Sequence, residues 1–187
     1  LLATVMNRGV TIHQPAIMGH ELSISLAFDG LSLLLLFTIY LVGFLVSVFS
    51  VDYMESYGSK ANYYALLLLM IAGMSGLVLA TDLFSLYIFL ETAAIASYGL
   101  VAFGLGREEL EASFKYLMLS AFASAAILLG IVTAFAFTGS VDFAGVGSGF
   151  LMLGRPASGT LCAALFLAGF GMKAALVPFH AWMPDAY

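Results

Sequence analysis

Two charged residues sit inside apolar stretches of this chain: Glu91 in LFSLYIFLETAAIASYGLVAFG and Lys173 in LFLAGFGMKAALVPFHAWMPDAY. A carboxylate and an amine can each take up and release a proton, so proton transfer is the chemistry this pair suggests. A charge at the centre of a membrane helix costs at least about 2.5 kcal/mol, so such residues face a bundle interior or a wet cavity and have partners. Glu91 lies roughly 12 Å into its span and Lys173 roughly 20 Å into its own, by helical rise. Two crossings separate the two helices, so they run in the same direction and the charges fall within roughly 8 Å of each other in depth. If the helices are neighbours, a direct or water-bridged pair would let each group bias the other's protonation. The plainer reading is an ion pair that only fixes helix register.

Three further residues join this candidate proton path. Pro178, five residues past Lys173, has no N–H to offer the carbonyl of Ala174, so a break in the helix is expected there. Helix breaks at membrane depth recur beside hydrated cavities and ion sites. His180 could relay protons, since an ordinary histidine titrates near neutrality, or it could rest beside Trp182 in the aromatic belt of the interface. Lys115, at the start of a span, could belong to the path or snorkel to the headgroups. Ser120 and Ser124, four residues apart in an Ala-rich stretch, read as small residues for close packing. Asp29 before Gly30, and Thr81 or Asp82 before Leu83, read as helix caps.

The elements that position these residues follow from composition. Of the 187 residues 63% are hydrophobic and 9% charged, far from the roughly 25% charged of soluble domains. The apolar residues form runs of about 20, the length that crosses a hydrocarbon core. Five spans are expected, at 30–51, 63–81, 83–104, 114–137 and 160–180. Runs this long without period-2 alternation point to helices, so the fold class is all-α, a polytopic transmembrane helix bundle. Only Thr81 and Asp82 separate the second and third spans, which calls for a tight antiparallel hairpin. The charged stretches 52–62 and 105–113 read as solvated loops, and the Gly- and Ser-rich stretch 138–159 as a flexible one. Residues 1–28 precede the bundle at 29–187, and the alternation in Glu21–Phe28 suggests a strand or hairpin at the membrane surface.

Charge and cysteine content set further bounds. A net charge of -5 with six basic residues, none clustered, gives no footprint for nucleic acid. One cysteine, Cys162, allows no internal disulfide and no Cys-based metal or iron–sulfur site. Lys60, Arg107 and Lys115 fall on one side of the membrane and Arg8 and Arg155 on the other, which leans the 52–62 and 105–113 loops toward the cytoplasm. The chain begins at Leu1 without a signal-peptide pattern and stops at Tyr187 directly after a motif, so a piece of a longer protein is expected.

The strings DLFSLYIFLETAAIASYGLVAFG, LEASFKYLMLSAFASAAILLGI and KAALVPFHAWMPDAY, with FDGLSLLL at the first span, carry a resemblance. They resemble the proton-conducting antiporter-like membrane subunits shared by respiratory complex I, Mrp-type cation/proton antiporters and membrane-bound hydrogenases. The resemblance runs from about Leu22 to Tyr187. It implies that Glu91 and Lys173 are the family's paired essential charges. It also implies that these helices make up most of the first of two inverted five-helix repeats in a larger antiporter-like fold.

The expected function is therefore proton translocation, with sodium as an open second cargo, through buried charges and water. The implied partners are other integral membrane subunits and the lipid bilayer, in a prokaryotic cell membrane. No metal, cofactor or redox centre is expected in this chain, because a haem between helices wants paired axial ligands and only His180 is near a span. Any oxidoreductase chemistry would belong to companion subunits. Two rivals remain: a permease for small solutes or anions using Lys173 and the helix break, and a purely structural membrane subunit.

Overall fold

The structure is a computed structural model and describes residues 10–13, 25–154 and 156–186. Arg8, His20, Glu21, Arg155 and Tyr187 lie outside the described residues, as do residues 21–24 of the expected strand. The chain divides into two compact units, Leu1–Ala96 and Ser97–Tyr187.

In the first unit, β1 (Val10–His13) pairs antiparallel with β2 (Ser25–Phe28), placing Val10 opposite Phe28. Helix α1 (Gly30–Tyr53) begins where the Asp29 carboxylate accepts the Ser32 N–H at 2.7 Å, an N-cap that satisfies one orphan donor of the first turn. Hydrogen bonds from the Ser32 hydroxyl and backbone hold the Asp29 carboxyl below its usual range, so the charged cap is lost only when pH falls through that lowered value. A 3-10 turn (Met54–Ser56) leads into α2 (Lys60–Leu79), which is followed after Ala80–Asp82 by α3 (Leu83–Val101).

Small residues decide how these helices meet. Gly43 of α1 faces Ile71 of α2, where an added Cβ would come within 2.7 Å of the Ile71 side chain. Ser50 donates to the Tyr64 hydroxyl at 3.2 Å further along the same pair. Between α2 and α3 the approach is tighter. A Cβ on Gly73 would lie 2.6 Å from the Ala93 nitrogen, and one on Gly76 would overlap the Phe89 ring. Rising numbers on one helix meet falling numbers on the other, so α2 and α3 form the antiparallel hairpin that their short link calls for. Buried Asp82 caps α3 by accepting the Ser85 N–H at 2.7 Å and the Ser85 hydroxyl at 2.6 Å. The large apolar side chains of α1, among them Phe37, Phe44 and Phe49, are exposed in this chain, as suits a helix whose solvent is lipid.

The second unit holds α4 (Arg107–Thr138), α5 (Phe143–Leu153), α6 (Pro156–Lys173), a 3-10 turn (Phe179–Trp182) and the short α7 (Met183–Ala186). Helices α4 and α6 pack antiparallel over a core of Ala123, Ile127 and Ala134. A Cβ on Gly169 would lie 2.8 Å from the Ala123 carbonyl oxygen, so glycine permits this approach. The Cys162 thiol donates to the Gly130 carbonyl at 3.5 Å in the same seam, which gives the lone cysteine a packing role.

Four expectations need correction. Residues 107–113 are not loop but the first turns of α4, whose 32 residues span about 48 Å against a hydrocarbon thickness of roughly 30 Å. Charged turns can thus stay helical beyond the apolar slab, where Glu108 and Glu109 also suit the positive end of the helix dipole. The 138–159 stretch is not a flexible loop throughout. Asp142 accepts the N–H groups of Ala144 and Gly145, both at 3.1 Å, and starts α5.

The last span was expected at 160–180 with its break at Pro178. Its helix ends at Lys173 instead, five residues before the proline. The Leu176 N–H bonds the Gly171 carbonyl at 2.9 Å and the Ala175 N–H bonds that of Met172 at 3.2 Å, with Ala175 at φ 51°. This is a Schellman closure, with alanine in the left-handed position that usually takes glycine. Finally, Ser120 does more than pack, since its hydroxyl accepts from Lys173, whereas Ser124 is a buried small residue whose hydroxyl donates to the carbonyl four residues back.

Candidate functional site

In the second unit a polar cluster forms among residues of α3, α4 and α6. The Lys173 ammonium donates to the Ser120 hydroxyl at 3.0 Å. The Tyr98 hydroxyl, from the end of α3, donates to the same Ser120 oxygen. One turn before Ser120 on α4, the Tyr116 hydroxyl is 3.0 Å from the Ser97 hydroxyl, and the Tyr98 and Tyr116 rings meet edge to face with centroids 4.8 Å apart. Ser113 donates to the Tyr98 carbonyl at 2.9 Å, and Ser124 donates to the Ser120 carbonyl at 2.9 Å. Ser113, Ser120 and Ser124 are buried, and Lys173 is half-buried.

Depth follows from the register. Lys173 ends α6, yet it stands level with Ser120, about 20 Å along α4 from Arg107 and about 27 Å from Thr138. The amine is therefore beside the middle of the longest helix, well away from both of its ends. Three elements converge on it because α4 and α6 run antiparallel and the Schellman closure stops α6 there.

Glu91 belongs to the first unit. It stands near the centre of α3, eight residues after Leu83, and is half-buried. Phe89 and Ala93 lie over Gly76 and Gly73, and Glu91, two residues from each, falls on the opposite face of α3 from that seam. Tyr87 lies one turn earlier on the same side of the helix.

The other sequence candidates are placed less centrally. Lys115 forms an i,i+4 ion pair with Glu111 at 3.0 Å, and both side chains are about half exposed or more. An exposed pair of this kind contributes little to stability. His180 is only partly covered within the 3-10 turn Phe179–Trp182, directly after Pro178, and the Trp182 side chain lies outside the described residues. Sequence reasoning misses Tyr98, Ser97 and Tyr116, although a tyrosine in an apolar helix usually needs a hydrogen-bond partner for its hydroxyl and so carries a signal.

Among the described residues four helices, α1 to α4, are long and apolar enough to cross a membrane, and α5 and α6 are shorter apolar helices. The fold and the polar cluster between helices define a multi-pass integral membrane protein. Residues 80–187 match the family described as NADH:quinone oxidoreductase/Mrp antiporter, transmembrane, and residues 16–64 match the N-terminal family of chain 5 of NADH–ubiquinone oxidoreductase (complex I). The chain belongs to this complex I and Mrp antiporter family of membrane subunits.

Its relatives include NADH-quinone oxidoreductase subunit N of Desulforudis audaxviator, 40% identical over 128 residues, covering 68% of this chain and 25% of the relative. A Na(+)/H(+) antiporter subunit of Bacillus subtilis is 30% identical over 187 residues, covering 100% of this chain and 38% of the relative. Among solved structures, a chain of the membrane-bound sulfane sulfur reductase, an archaeal respiratory membrane complex, superposes with a TM-score of 0.86 at 28% identity, covering 96% of this chain and 36% of that one. The chain thus spans between a quarter and two fifths of the length of the relatives named here.

Proposed function

We propose that this chain is part of a proton-translocating subunit of a multisubunit membrane complex, in which Glu91 and Lys173 are the titrating groups. The observation that carries the reading is the placement of the Lys173 amine. It is held by a hydroxyl group at the level of the middle of α4, where a fixed charge is costly and a reversible one is useful. Glu91 at the centre of α3 supplies the second group of the path. His180 would extend the path beyond the helix break at 174–178. Lys115, paired with Glu111, would lie at its margin. Family membership supports ion movement as the task, and the names of the relatives support companion membrane subunits. Sodium as a counter-ion rests on the Bacillus subtilis relative, and a bacterial cell membrane on the bacterial sources of both relatives.

The test is proton movement by the full-length protein in its intact complex, reconstituted in vesicles. Lys173→Met and Glu91→Gln should each assemble at normal yield and lose proton transport. Either variant transporting at the wild-type rate would refute the proposal.

A further inference from the structure

We propose that Ser120 is a positioning residue for Lys173, with Tyr98 behind it, so that the amine is hydrogen-bonded in both of its protonation states. This rests on the proposal that Lys173 gains and loses a proton. An ammonium has three donors and no acceptor, whereas a serine hydroxyl has one donor and two acceptor positions. Here the Ser120 oxygen receives both the Lys173 ammonium and the Tyr98 hydroxyl, so both acceptor positions are filled while Lys173 is charged. When Lys173 gives up a proton its nitrogen gains a lone pair. The Ser120 O–H can then turn to donate to it, while Tyr98 still fills one position on the serine oxygen. The same oxygen serves as acceptor in one state and donor in the other, so the lysine–serine contact survives the proton's departure at membrane depth. An apolar residue could do neither, and a carboxylate, being an acceptor only, would serve the charged state alone.

The opposing reading is that Ser120 is simply a small residue in the α4–α6 seam, three residues before Ala123. The two readings order the variants differently. Packing makes Ser120→Ala neutral and Ser120→Thr harmful. Positioning makes Ser120→Ala harmful and Ser120→Thr a rescue, since threonine keeps the hydroxyl.

The experiment measures proton transport by the full-length protein in its assembled complex, normalised to assembled protein, for Ser120→Ala, Ser120→Thr, Tyr98→Phe and Lys173→Met. Hydrogen bonds to charged groups lead us to expect at least roughly a tenfold loss in Ser120→Ala, a smaller loss in Tyr98→Phe and near wild-type transport in Ser120→Thr. If Ser120→Thr fails to assemble, Ser120→Ala and Tyr98→Phe decide, because each removes only an oxygen. Wild-type transport in both would overturn this inference. With Lys173→Met inactive at the same time, the proposed function would survive that outcome. Wild-type transport by Lys173→Met would instead overturn the function itself.

Discussion

Glu91 stands in the middle of an unbroken helix, on a hairpin drawn tight by Gly73 and Gly76, whereas Lys173 is the last residue of its helix and reaches a cluster of hydroxyls. A mid-helix carboxylate is surrounded by backbone groups already spent on helical hydrogen bonds, so its polar partners must be side chains or water. A lysine at a helix C-terminus sits at the end of the dipole that stabilises a cation, and the chain reversal beside it opens the helix locally. The first unit thus carries its charge on a helix whose opposite face is packed tightly on glycines, and the second holds its charge by local polarity. One can be damaged by adding bulk, the other by removing oxygen.

That contrast sets the predictions. The largest effect should come from bulk in the glycine seam of the first unit. Gly76→Leu would drive a side chain into Phe89 and should reduce the yield of folded protein severely, at a cost of about 3 kcal/mol or more, read by thermal unfolding in detergent. Gly169→Leu, against the Ala123 carbonyl, tests whether the second unit is as intolerant. Asp82→Ala comes next. It removes the cap of α3 and leaves the Ser85 N–H and hydroxyl without their carboxylate, which should cost about 1–2 kcal/mol by the same assay. Ala175→Gly should act in the opposite direction, relieving the left-handed strain after Lys173 by about 1 kcal/mol. If it instead lowered stability, strain would not be stored at the helix break.

Much of this was legible in the sequence because it is local. Runs of about 20 apolar residues marked out the spans, and short polar residues before them marked the caps Asp29 and Asp82. The start of α4 and the whole of α5 were not legible. Glu108, Glu109 and the glycines near 145–149 read as loop by type, whereas dipole complementarity and the Asp142 cap make them helical. At the site, Glu91 and Lys173 stand out by charge alone. Ser120 was visible only as a small residue, since its partnership with Lys173, 53 positions away, depends on the antiparallel register of α4 and α6. No pattern within either helix encodes that register.

The most direct test of reversible charge at these two positions is to remove both charges at once. Glu91→Gln with Lys173→Met in one full-length protein leaves no net change in charge, and a pair that served only to fix the helices would be dispensable in this form. Proton uptake into vesicles holding the assembled complex should be abolished in the double variant. Uptake at the wild-type rate would contradict a proton-carrying role for either residue.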